Sequence, residues 1–99
     1  RFKYVIELVP DLAQAHTNIG MAYRAIGKTR QAKFHYLQAL KIDPDHADTY
    51  RNLGVLHLNN GQRKKATEYF NKALSYYDRQ APDEAASFRK ALAEAGIKT

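Results

Sequence analysis

The chain contains no cysteine among its 99 residues. Disulfide staples, thiolate zinc sites and a catalytic thiol are thereby excluded, and the redox compartment cannot be read from thiol usage. A soluble, cytoplasmic setting is the default expectation. No apolar run approaches the ~20 residues that span a bilayer, so no membrane span is expected. No segment alternates apolar and polar residues with period two, so no strands are expected either. No HExxH pair, Ser/His/Asp arrangement or paired-carboxylate constellation stands out. Gly27-Lys28-Thr29 looks like the end of a phosphate loop. It lacks the earlier glycine and the preceding strand, and reads as a turn between helices. We therefore expect no enzyme activity and no cofactor. Residues Arg1 to Pro10 carry Glu7 inside an apolar stretch, which does not suit a secretory signal. The chain does not start with Met, and we expect it to be a piece of a longer protein.

What is present is an ordinary globular mix, 44% hydrophobic and 26% charged. One domain, residues 1–99, is the natural reading at this length. Sixteen Lys and Arg against ten Asp and Glu leave a net charge of +6. That balance favours an acidic partner, whether peptide, nucleic acid or anionic membrane, without choosing among them.

Self-comparison is more informative. When the sequence is shifted by 34 residues, Asp11, Ala13, Asn18, Gly20, Gly27, Ala32, Ala39 and Leu40 each fall on an identical residue. Unrelated segments of ordinary composition would give roughly two such matches. Each 34-residue unit reads as a helical hairpin. Ala15, Ile19, Ala22, Tyr23 and Ile26 recur at amphipathic-helix spacing, Gly27 breaks the helix, and Ala32, Tyr36, Ala39 and Leu40 form a second one that stops at Asp43-Pro44. The second unit repeats this through Ala47, Tyr50, Leu53 and Gly54, a turn at Asn60-Gly61, then Ala66, Phe70, Ala73 and Leu74. Glycine inside a helix costs about 1 kcal/mol against alanine, so Gly20 and Gly54 imply close approach of two helices.

Tyr50, Leu53, Gly54, His57, Ala66 and Phe70, with His16, Ile19, Gly20, Tyr23, Ala32, Tyr36 and Pro44, resemble the tetratricopeptide repeat. His16 stands where that family has a large aromatic, His57 where it has Tyr, and Asp78 where it has Pro. The resemblance implies an all-α, right-handed superhelical solenoid of antiparallel helix hairpins. About six helices are expected, at 1–9, 11–26, 29–42, 45–59, 62–78 and 82–95. In this reading 1–10 is the second helix of a truncated repeat, 11–44 and 45–78 are full repeats, and 79–99 is a capping helix or the start of another. Pro82 arrives four residues late, about one helical turn, so the helix starting near Gln62 has room for another turn. The truncated start, with Phe2, Val5, Ile6 and Val9, is expected to self-associate through its open edge.

The resemblance also implies a protein-interaction scaffold. First helices line a concave groove in this family, and its peptide-binding members use an Asn at the position of Asn18 and Asn52. An amide offers both a donor and an acceptor to an extended peptide backbone. The same face adds Gln14, Thr17, Met21, Arg24 and Ala25 from the first unit, and Asp48, Arg51, Val55 and Asn59 from the second. Lys90 joins them if Pro82 resets the register. Arg24, Arg51 and Lys90 would bias the groove towards acidic ligands. The family's clamp for acidic carboxyl termini is absent in this frame, because Thr17 and Met21 occupy its first two places. Substrate docking or oligomerisation within a larger enzyme is the alternative function. A basic nucleic-acid or membrane surface is a third: we read Arg63-Lys64-Lys65 as solvated surface instead, because most aromatics are claimed by the core, Tyr76 and Tyr77 excepted. His16, His35, His46 and His57 form no three- or four-spaced pair on one helix, so no metal is expected.

Overall fold

The computed structural model describes residues 11–99. Its elements are α1 (Leu12–Ala25), α2 (Thr29–Ile42), α3 (Ala47–Asn59), α4 (Arg63–Gln80) and α5 (Pro82–Glu94). No strand occurs among the described residues. The expected helix at 1–9, and with it the open edge of Phe2, Val5, Ile6 and Val9, lies outside them. The chain divides between Pro44 and Asp45 into two compact units.

In the first unit, Asp11 caps α1 by accepting the Gln14 amide at 3.2 Å. The helix ends at Gly27, whose φ of 81° is available to glycine at little cost. The Lys28 amide donates back to the Tyr23 carbonyl at 2.9 Å, which closes the turn and sends α2 back along α1. Ala13, Gly20, Ala32, Tyr36 and Ala39 make the buried seam. Tyr36 is fully buried, and a Cβ on Gly20 would stand only 2.6 Å from its Cε1. The glycine is therefore a contact requirement, and its propensity cost is offset by burial of a whole aromatic ring, worth about 1.5–3 kcal/mol.

The second unit repeats the device. The Gln62 amide returns to the His57 carbonyl at 2.8 Å around Gly61, and a Cβ on Gly54 would stand 2.5 Å from Phe70 Cδ1. Here α4 runs through residue 78 to Gln80, longer than the 62–78 expected. The reason is that the apolar seam of Phe70, Ala73 and Leu74 continues to Tyr77, and the chain is not stopped until Pro82. Tyr77, excepted from the core in the sequence reading, is buried. Pro82 opens α5 at a position where its missing N–H costs nothing, with Asp83 and Glu84 at the positive end of the helix dipole. Ala85, Phe88 and Leu92 pack onto α4, and Phe88 meets Phe70 and Tyr77 edge to face at 5.5 and 5.9 Å. Each such pair adds about 0.5–1.5 kcal/mol beyond burial. Asp78 and Arg89 close the outer side with a two-pronged ion pair at 2.9 and 2.6 Å. The Arg89 hydrogen bond holds the Asp78 carboxyl below the usual carboxylate range.

Candidate functional site

The residues proposed from sequence fall on the first helix of each unit, α1 and α3, except Lys90 on α5, and the structure separates those that keep surface from those that join the packing. On α1, Asn18 is exposed and its carbonyl oxygen accepts from Gln14 Nε2 at 2.9 Å, one turn earlier. Met21 is exposed beside it, and Ala25 is exposed at the helix end. Arg24 is half-buried and donates to the Tyr36 hydroxyl at 3.3 Å. Burial raises the Tyr36 pKa, with the Arg24 charge opposing it. Thr17 does not belong in the site. It is fully buried, with its hydroxyl donating to the Ala13 carbonyl at 2.9 Å, so a polar residue is hidden by bonding its own helix.

On α3, Asn52 is half-buried and its amide donates to the Asp48 carbonyl at 2.8 Å. Asn59 is exposed at the end of the helix, and Lys90 is exposed on α5. Three other residues turn out to hold the unit together. The Asp48 carboxylate accepts from the Tyr77 hydroxyl. That bond and, before it, burial push the Tyr77 pKa up to about 12. The Arg51 guanidinium lies over the Phe88 ring, 4.7 Å from its centroid, where a cation and an aromatic face attract. Val55 packs against the core of α4 and α5. Asp48, Arg51 and Val55 thus anchor the second unit, while Asn52 and Asn59 keep surface.

The 34-residue period with a glycine–aromatic contact in each hairpin is matched by family comparison. A model described as TPR repeat matches residues 20–61, and one described as tetratricopeptide repeat matches residues 47–80. The chain belongs to the tetratricopeptide repeat family. No curated protein matches it. Tetratricopeptide repeats are generally protein–protein interaction modules and typically non-catalytic scaffolds. No described helix is long and apolar enough to cross a membrane.

The tetratricopeptide geometry also brings together rings that the linear reading kept apart. In the first unit His16 stacks on His35 at 5.4 Å, with their Nδ1 atoms 3.1 Å apart, and Tyr23 stacks on His35 at 5.5 Å. Thirty-four residues on, Tyr50 stacks on Tyr69 at 6.5 Å and His57 stacks on Tyr69 at 5.2 Å. The same three positions are filled twice, with His and Tyr exchanged. The alignment of His35 with Tyr69 was visible in the sequence and would have revealed this. Among the described residues, no three side chains of His, Asp or Glu are grouped to hold a metal ion. His57 is buried, its Nδ1 bonded to Gln62 Oε1 at 2.6 Å. Tyr76 is half-buried beneath the Arg79 guanidinium, and Arg63 donates to the Gly96 carbonyl at 2.8 Å, tying the start of α4 to the turn after α5.

Proposed function

We propose that this chain is a protein-interaction module that holds an extended segment of a partner protein along the first helices of its hairpins. One observation carries the reading: an Asn recurs at the same place on α1 and α3, just off the packed seam, and Asn18 is exposed there. Gln14 and the Asp48 carbonyl each hold one end of these amides, which reduces the freedom lost when the other end meets a ligand. Asn59 and Met21 add a polar and an apolar contact. Arg24 and Lys90, within a chain of net charge +6, favour an acidic segment. Arg51 contributes less than its charge suggests, because its guanidinium is engaged on Phe88.

The test is a peptide-array screen followed by titration of the best ligand against Asn18→Ala and Asn52→Ala. Each lost amide bond is expected to cost about 0.5–1.5 kcal/mol, roughly two- to tenfold in affinity. Lys64→Glu with Lys65→Glu serves as the control, because both side chains are exposed at the start of α4. Binding that survives both Asn changes and disappears in the control would place the partner on the basic surface and defeat the proposal.

A further inference from the structure

Repeats of one design should be polar at the same outward positions. In the second unit they are: Lys64, Glu68, Asn71 and Ser75 form an exposed polar stripe along α4. The residues 34 earlier on α2 are Arg30, Phe34, Leu37 and Lys41, also all exposed. Phe34 is 57% and Leu37 is 42% exposed. Neither lies on the buried seam, which α2 forms through Ala32, Tyr36 and Ala39 on its other side, although the Phe34 ring meets the neighbouring His35 edge to face at 5.3 Å. Spacings of four, three and four residues put the stripe on one face of the helix, in the order cation, aromatic, aliphatic, cation. That is a fragment of a helix-pairing seam.

We propose that this outer face of α2 is a second docking surface, and that its occupant is an acidic amphipathic helix of a partner protein. Such a helix would set two apolar residues on Phe34 and Leu37 and place carboxylates against Arg30 and Lys41. The charge of α2 selects the partner. The helix contains Arg30, Lys33 and Lys41, has Lys28 at its N-cap, and contains no carboxylate. Cations near the N-terminus oppose the helix dipole, and carboxylates brought there by a partner relieve that opposition. A second copy of the same face is disfavoured, because antiparallel pairing would set Arg30 against Lys41. A single convex helix also offers no groove for an extended strand. The surface is independent of the α1 and α3 residues proposed above.

The experiment uses the 99-residue chain and a fluorescent helical peptide of roughly 20 residues. The peptide carries two Leu three residues apart with a Glu four residues outside each, and a scrambled peptide of equal composition is the comparison. The parent should bind the ordered peptide at least tenfold more tightly than the scrambled one. Phe34→Glu with Leu37→Asn installs the residue types found at Glu68 and Asn71, so the thermal melt should hold while that preference is lost. Arg30→Glu with Lys41→Glu should transfer binding to a peptide with Lys in place of Glu. Equal binding of ordered and scrambled peptides, or undiminished binding by the Phe34/Leu37 variant, would overturn the proposal. So would loss of binding in Asn18→Ala instead. If phosphatidylserine vesicles bind the parent but not the Phe34/Leu37 variant while the peptide binds neither, the face is a membrane contact and the proposal falls. If that variant merely abolishes a dimer seen by sedimentation, the face is a self-contact and the proposal falls equally.

Discussion

Gly54→Ala puts one methyl group where the hairpin has no room. On an ordinary helix this change gains up to about 1 kcal/mol in propensity. Here the new Cβ would stand 2.5 Å from Phe70 Cδ1, against the 3.5–4.0 Å at which carbon atoms rest. The ring must retreat by about 1 Å, and it is 2% exposed with Phe88 edge-on behind it. Overpacking of this kind costs about 1–3 kcal/mol, and the rigid neighbours favour the upper half of that range. After the propensity gain, a net loss of about 1–2 kcal/mol remains, or roughly 4–16 °C in melting temperature for a domain of this size. The assay is thermal and urea unfolding followed by circular dichroism, run as a cycle with Phe70→Leu. In the Phe70→Leu background the obstruction is gone, and Gly54→Ala should become neutral or stabilising, giving a coupling of about 2 kcal/mol. If Gly54→Ala melts at or above the parent while Phe70 is present, the close-approach argument fails, and so does the account of Gly20.

Tyr77→Phe should change alkaline stability. Tyr77 titrates near 10.0 when unfolded and near 12 when folded, so its protonated form contributes stability below pH 10 that is lost as pH rises towards 12. Stability of the parent should fall across that window more steeply than stability of the variant, as read by urea midpoints at each pH. Arg51→Ala should loosen α5 by about 0.5–2 kcal/mol through loss of the Phe88 contact, seen as faster amide exchange over Pro82–Glu94 with α1 and α2 unchanged. Thr17→Ala should leave peptide affinity unaltered in the titration used for Asn18→Ala, because its hydroxyl is turned into its own helix.

Much of the fold was legible because the repeat writes it twice. The glycines, the alanine spacing and the proline punctuation each have a direct backbone or packing meaning, and every described helix lies within about two residues of its expected bounds. The candidate site was less legible because a helical face assigns direction without assigning partners. Thr17 sits four residues after Ala13 and three before Gly20, on the buried seam, but a hydroxyl reads as polar until its bond to the Ala13 carbonyl is seen. Arg51 was placed on the correct helix, yet its long side chain ends on Phe88, a contact across 37 residues that no local period encodes. Tyr77 was left out of the core because its turn of α4 has no counterpart in the first unit, where the equivalent helix stops at Ile42. The His16–His35 contact escaped notice because metal-type spacings were sought within single helices.

The glycine–aromatic contact has a further consequence for how such a chain can lengthen. Gly20 to Tyr36 and Gly54 to Phe70 are both intervals of 16 residues, each contained in one hairpin. A residue inserted inside that interval turns the ring by about 100° and disengages it. An insertion after the ring turns nothing upstream. The additional turn of α4, residues 77–80, lies on that permissive side, which is why the second hairpin keeps its register although its proline comes four residues late. Each hairpin thus sets its alignment by a contact within itself, and the difference in length between the two described hairpins lies after the ring, where α2 stops at Ile42 and α4 runs to Gln80.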